Sequence, residues 1–469
     1  MKNNNILLIN PCIYDFAAYD FWTKPTGLLS IGNYLEIHGY NTFLIDCLDR
    51  FSPLLPKTHN KKYGTGKFIK TKVKKPEILK NVPRNYYRYG MPVDLFLEAL
   101  TQVPKPDVIL ITCMMTYWYQ GAQFAIKLIK EKIPEVPIVL GGIYATLCND
   151  HAKTNSGADF IISGAGEKQA LKLVNTFTGN ENNTDKISNR FPTASYFCYK
   201  KLHSIPIFTS YGCPFNCSFC ASNLLSGKFR QRDPFDVIKE IEQYYFTRHV
   251  RHFAFYDDAL LVDQKKHISV ILDAVIDKKL EANFHTPNGI HPREITSDLA
   301  KKMYQANFKT VRLSYETIDS VRQKEMGQKV TNDSLTRAID NLENGGFLRE
   351  NIDVYVLMGL PGQPVDEVIE SILFVAGLGA KIRLTSFSPI PGTKDWQRSV
   401  ELYNMPDNID PLLTNNSIYP LNRKDFNYES FQQLRRLAKV INYGLDHGIN
   451  YFDQSRIAKS VQKYLNSRQ

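Results

Sequence analysis

The sequence predicts an α/β protein in three parts. They are an N-terminal doubly wound, Rossmann-like parallel sheet, a partial (βα)6 TIM-like barrel, and a small helical C-terminal region. Three observations predict this. Short apolar runs of β character alternate with helical stretches in two successive series, as in parallel sheets covered by helices. A polar, Asn/Thr/Lys-rich stretch over 176–204 separates the series and reads as a linker. The 469 residues are 43% hydrophobic and 22% charged, enough to bury two or three cores and unlike a disordered or fibrous chain. The parts fall at 1–175, 205–400 and 401–469.

In the first part, strands are expected at Asn5–Asn10, Thr42–Asp46, Asp107–Thr112, Pro137–Leu140 and Asp159–Ile162. Helical runs lie near Leu28–Glu36 and Ala122–Lys132. Such a sheet binds ligands beyond the carboxyl ends of its strands. The second series has six runs, near Pro206–Thr209, His252–Tyr256, Ala282–His285, Thr310–Ser314, Asn351–Val356 and Lys381–Ser386, with helices between them. Its site belongs on the loops after the strands. Helices Glu429–His447 and Ser455–Leu465 complete the chain.

Net charge is +11, yet 57–88 holds eleven Lys/Arg against the single acid Glu77. The excess is therefore local, and basic composition alone does not make the whole chain a nucleic-acid binder. Gly64, Gly66, Pro76 and Pro83 interrupt that stretch, so it is expected as an inserted loop or arm. Its lysines interleaved with tyrosines suit nucleic acid or an anionic ligand. No run approaches the roughly 18 apolar residues of a membrane span. The opening MKNNNILLINPC is too short in apolar residues for a secretory signal, so a cytoplasmic protein without membrane partners is expected.

Eight cysteines are present, and three fall within eight residues: Cys213, Cys217 and Cys220. Three thiolates on one loop after the first barrel strand suit three corners of an iron–sulfur cube. Zinc is the alternative, but a structural zinc site takes four protein ligands. The nearest candidates, His203 and His249, lack finger spacing.

Here the chain resembles the radical S-adenosylmethionine (SAM) superfamily over roughly 205–400. Cys213, Cys217 and Cys220 match its CxxxCxxC signature, and Phe219 matches the aromatic before the last cysteine. Phe255-Tyr256-Asp257-Asp258 resembles the acidic motif that contacts the SAM amino group. Leu313-Ser314-Tyr315-Glu316 resembles the fourth-strand G-x-E-S-G stretch, with departures at Thr317 and Ile318. Lys329 and Thr331 match a K-x-T element. The GLPG turn at Gly359–Gly362 and the SPxPGT turn at Ser388–Thr393 follow in order. The resemblance implies a 4Fe–4S cluster on the three cysteines, with SAM chelated at the open iron. Reductive cleavage would give methionine and a 5′-deoxyadenosyl radical that takes hydrogen from an unactivated position. It also implies a small-molecule substrate and a reduced electron donor such as flavodoxin or ferredoxin. Asp257, Asp258, Ser314, Glu316, Lys329 and Phe219 are the expected cofactor contacts. His285 and His291, after the third strand, are expected to face substrate as acid or base.

Residues 5–172 resemble the cobalamin-binding domain that precedes many radical SAM cores. Val139-Leu140-Gly141-Gly142 matches its GG turn, and Gly157-Ala158-Asp159 leading to Ser163-Gly164-Ala165-Gly166-Glu167 matches its close. Gly141 and Gly142 are thus expected at cobalamin. The D-x-H-x-x-G motif that supplies a histidine to cobalt is absent, its place taken by Tyr14–Asp20. Tyr117-Trp118-Tyr119, with Met114 and Met115, suits either stacking on a flat ligand or core packing.

The expected activity is cobalamin-dependent methyl transfer, or rearrangement, of a small molecule. A methylthiotransferase-like RNA-modifying enzyme is one alternative; it would need a second cluster on Cys12, Cys47 and Cys113, each just past a strand end. A non-enzymatic cluster- or corrin-binding sensor is the other.

Overall fold

A computed structural model describes residues 4–56, 60–181 and 193–448. The chain divides into two compact units. The first takes residues up to Pro206 together with Leu224–Ser226 and Asn408–Ile418, and the second takes the remainder.

The first unit contains β1 (Asn5–Asn10), β2 (Ile13–Asp15), β3 (Asn41–Asp46), β4 (Lys70–Val73), β5 (Tyr86–Tyr89), β6 (Val108–Cys113), β7 (Ile138–Gly142) and β8 (Phe160–Ile161). Five of them form a parallel sheet in the order β3-β1-β6-β7-β8. The order reverses beside β1, which creates the switch-point crevice of a doubly wound fold. Strands β1 and β6 are buried along their whole length, as expected when both faces are covered. Ile6, Leu8 and Leu110 pack with Leu35, Leu171 and Val174 on one face. Leu7, Ile9, Ile109 and Leu140 pack with Phe96, Ile126 and Ile129 on the other. Each such aliphatic side chain contributes about 1.5–3 kcal/mol when fully buried.

The basic insert is more ordered than a loop. Its β4 and β5 pair with β2 as an antiparallel sheet in the order β2-β5-β4. Tyr86 and Tyr89 are buried and Lys70 lies over the Tyr87 ring at 4.1 Å. The strand partner of β5 lies about seventy residues upstream, so local pattern did not reveal it; Lys57 lies outside the described residues. The expected linker is also partly packed. Tyr196 and Tyr199 are buried, and the Tyr199 hydroxyl donates to Asp46 at 2.6 Å. Residues 182–192 of that stretch are outside the described set. Asn408–Ile418, expected with the C-terminal region, packs in the first unit, where Asn415 donates to Asp15 at 3.0 Å and Asp410 accepts from the Tyr119 hydroxyl at 3.0 Å.

The second series contains β9 (Ser204–Ile207), β10 (Ser210–Tyr211), β11 (Arg230–Gln231), β12 (His252–Phe255), β13 (Asn283–His285), β14 (Phe308–Glu316), β15 (Ile352–Met358) and β16 (Lys381–Ser386). Six form one sheet in the order β16-β15-β14-β13-β12-β9. Sequential strands are neighbours and are joined by helices, as in an open barrel. The short β10–β11 pair brackets the cysteine loop. The last described helix, Tyr428–Asp446, covers the free edge: the Asn442 amide accepts from the Ile382 N–H and donates to its carbonyl, both at 2.8 Å. This pairing stops another strand from adding there. The expected helix Ser455–Leu465 lies outside the described residues. Among the described residues, no helix is long and apolar enough to cross a membrane.

Candidate active site

The cysteine loop leaves β10 through Gly212, at φ +74°, where a Cβ would lie 2.9 Å from the Gly227 carbonyl. Only glycine takes that turn without strain. Cys213 is buried, Cys217 half-buried and Cys220 exposed. The Ser218 hydroxyl donates to Asp395 at 2.8 Å, and the Asp395 N–H donates back to the Ser218 carbonyl at 2.9 Å. Phe219 packs with Met326, Leu357, Leu360, Phe387 and Leu421. These contacts pin the stretch between Cys217 and Cys220.

Lys329 serves the thiols as a cation. It is half-buried, and its ammonium lies 3.6 Å from the Glu316 carboxylate. Burial pushes all three thiols up, Cys217 to about 12; backbone hydrogen bonds from Phe215 and Ser222 pull Cys213 and Cys220 back, and Lys329 pulls each of the three toward the thiolate. Metal ligation needs the thiolate, so the cation and these N–H groups together favour loading. Lys329 owes its place to Thr331, whose hydroxyl caps the helix Asn332–Asn344 in a capping box with Ser334. Glu316 ends β14 at φ +73°, next to a register shift against β15. Such a conformation is costly for a residue with a Cβ and persists where the surroundings impose it.

The two aspartates differ. Asp257 is buried and accepts from the Thr209 N–H at 2.9 Å, the Thr209 hydroxyl at 2.7 Å and the Ser210 hydroxyl at 2.6 Å. Its carboxylate therefore ties β12 to the strand that leads into the cysteine loop. Asp258 is exposed, accepts from the Ser222 hydroxyl and feels Lys329. Ser314 is buried against Gly289, where a Cβ would collide with its hydroxyl. His291 is buried beside Phe215, with ring centroids 4.7 Å apart. Lys329 thus has the three thiols, Glu316, Asp258 and His291 as electrostatic neighbours.

His285 lies apart from that group. It is wholly buried, with Nε2 3.1 Å from His252 and Nδ1 3.2 Å from Thr310. Burial and the neighbouring cations push it down to about 2. Beside it runs a polar set that sequence reasoning missed. Arg312 and Arg383 both approach Asp353, at 3.6 and 3.0 Å, and the Tyr355 hydroxyl donates to the Pro287 carbonyl at 2.7 Å. Their alternation with buried Val354 and Val356 was the available signal.

In the first unit, Gly142 ends β7 at φ +94°, and a Cβ there would lie 2.7 Å from the Cys113 carbonyl. At Gly141 the nearest atom would be 3.8 Å away. The Thr146 hydroxyl donates to the Gly142 carbonyl at 2.9 Å and accepts from the Gly164 N–H at 3.0 Å. It joins the loops after β7 and β8 into a side-chain-poor edge at the sheet's carboxyl end, which suits close approach of a large ligand. Tyr117 and Tyr119 are buried, and the Trp118 indole donates to Asp15 at 2.8 Å.

The cysteines of the first unit form two separate neighbourhoods. Cys47 neighbours Cys12, whose thiol donates to the Met91 carbonyl at 3.3 Å, whereas Cys113 donates to the Met115 carbonyl at 3.2 Å and neighbours Cys148. Among the described residues, no three His, Cys, Asp or Glu converge closely enough to hold a single metal ion. Cys12 and Cys47 thus sit in one neighbourhood and Cys113 in another, an arrangement that does not favour a second cluster on the three.

Fold and site together define a class: a barrel that mounts a three-thiolate loop beyond its first strand, preceded by a glycine-edged, doubly wound sheet. Comparison with known proteins gives the same division. The family model for the radical SAM superfamily matches residues 207–375, and that for the B12 binding domain matches 85–174. The chain is a radical SAM enzyme with a B12-binding domain, and its cofactors are a 4Fe–4S cluster, SAM and cobalamin.

An uncharacterised methyltransferase of Pyrococcus horikoshii is 24% identical over 394 residues, covering 76% of this chain and 83% of the relative. The anaerobic magnesium-protoporphyrin IX monomethyl ester cyclase of Rubrivivax gelatinosus is 25% identical over 317 residues, covering 59% of this chain and 55% of the relative. The radical SAM methyltransferase TsrM of Kitasatospora setae, solved with tryptophan substrate and a SAM analogue, shares the fold. Its TM-score is 0.63 at 15% identity, over 85% of this chain and 76% of that one.

Proposed function

We propose that this enzyme transfers a methyl group to an unactivated carbon of a small molecule. The carrying observation is the half-buried Lys329–Glu316 pair set among Cys213, Cys217, Cys220 and Asp258. The glycine edge at Gly141–Gly142 adds the second cofactor. Relatives named as methyltransferases support transfer over rearrangement.

When bound, the cluster supplies the electron that splits the carbon–sulfur bond of SAM, and cobalamin serves as methyl carrier. The chain's residues position and shield. Cys213, Cys217 and Cys220 hold the cluster. Asp258 and Glu316 take the SAM amino group and ribose, and Ser314 and Lys329 complete that contact. Asp257 acts one step back, fixing the Thr209–Ser210 turn that aims the loop. Gly141 and Gly142 receive cobalamin.

Anaerobic reconstitution with iron, sulfide, reductant, SAM and hydroxocobalamin tests this reading. Release of 5′-deoxyadenosine and an absorbance change to methylcobalamin are expected. Cluster assembly without either would sink the proposal.

A further inference from the structure

His291 is 2% exposed, and its Nδ1 is buried with no hydrogen-bond partner among the described residues. Other buried histidines show how this fold treats the ring. His38 engages the Tyr34 carbonyl at 2.7 Å, His267 the Arg232 carbonyl at 3.1 Å, and His285 engages His252 and Thr310. Each has at least one ring nitrogen bonded, whereas His291 has neither bonded to the described chain. A buried polar atom left this way costs the folded state, and native proteins rarely tolerate it without a partner.

Its surroundings indicate the partner. His291 meets the edge of Phe215, which stands between Cys213 and Cys217, with ring planes at 83°. Arg293 lies over the same Phe215 ring at 4.8 Å. Burial and the charges of Lys329 and Arg293 hold the imidazole neutral, so it carries one N–H and one lone pair. A neutral donor beside two cations, facing the cluster loop, is an anion-receiving arrangement.

We infer that His291 is a cofactor-binding residue, donating a hydrogen bond to an anionic acceptor in the cluster–SAM centre, either the SAM carboxylate or a cluster sulfur. This rests on the function proposed above, and it replaces proton transfer as the role of His291. No bond is made or broken at the imidazole.

The test uses the reconstituted full chain as wild type, H291A and H291N. Asparagine keeps a donor close to the position of Nδ1. SAM affinity is measured by equilibrium dialysis, and the cluster midpoint potential is measured without SAM. If the carboxylate is the acceptor, H291A weakens SAM binding about tenfold, the equivalent of one charge-assisted hydrogen bond. H291N restores most of it, and the potential stays put. If a cluster sulfur is the acceptor, the SAM-free potential of H291A falls and H291N returns it toward wild type. Unchanged affinity and potential in H291A overturn the inference. So does an H291N variant that loads iron normally yet matches H291A in both measurements. A wild type that assembles no cluster would instead overturn the reading of the cysteine loop, which iron content reports separately.

Discussion

Glu316 holds its carboxylate 3.6 Å from the Lys329 ammonium while its own backbone sits at φ +73°. The pair draws one acid from the end of β14 and one cation from the turn before Asn332, and it turns the cation toward three thiols. Breaking it leaves a half-buried carboxylate without its cation. K329M is expected to cost about 1–3 kcal/mol of stability, the penalty for leaving a desolvated polar group unpaired, and to lower iron per chain. K329R is expected to retain most of both. Chemical denaturation and iron analysis check this.

The cysteine loop and the other cysteines separate cleanly in a metal assay. C213A, C217A or C220A is expected to abolish cluster assembly. C12S, C47S and C113S should each retain about four irons per chain. Loss of iron in the C113S protein would reopen the two-cluster alternative.

Asp257 makes stability pH-dependent. Burial raises its carboxyl to about 6, against the pull of the Thr209 and Ser210 hydrogen bonds. An acid raised in the folded state stabilises most below its unfolded pKa, near 3.9, and loses that contribution as pH climbs through 6. The full span is about 3 kcal/mol. His285, pushed down to about 2, acts oppositely, losing stability as pH falls below roughly 6.5. The wild-type slope is therefore mixed. The difference between wild type and D257N, read from denaturation midpoints between pH 4 and 6, isolates the aspartate. A pH-independent difference refutes the assignment.

Neighbouring glycines at the end of β7 are expected to behave unequally. G142A forces a Cβ against the Cys113 carbonyl at positive φ. It should destabilise the first unit by about 1–3 kcal/mol and weaken cobalamin binding. G141A meets no protein atom closer than 3.8 Å and should leave stability near wild type, while its Cβ on the ligand edge weakens cobalamin binding. Thermal melting and a cobalamin titration distinguish them.

The chemistry was legible wherever it is local. Three cysteines on one short loop and the glycines ending β7 act through neighbours in the chain, so spacing pointed to them; Lys329 and Thr331 entered as a match to a family motif, and the structure added the cap. Strand alternation did the same for both parallel sheets, because apolar periodicity is a local property. Tertiary structure decided the rest. It divided the Asp257–Asp258 pair into a buried tether and an exposed contact by placing Thr209 and Ser210 against one of them. It paired the lysine-rich β4 with β5, and β5 with β2 from the far end of the first unit. It set Cys12 beside Cys47 and left Cys113 with Cys148. It also left His291, among the described buried histidines, without a hydrogen bond to either ring nitrogen. Burial and hydrogen-bond partnership are set by residues far apart in sequence, which a one-dimensional pattern does not record.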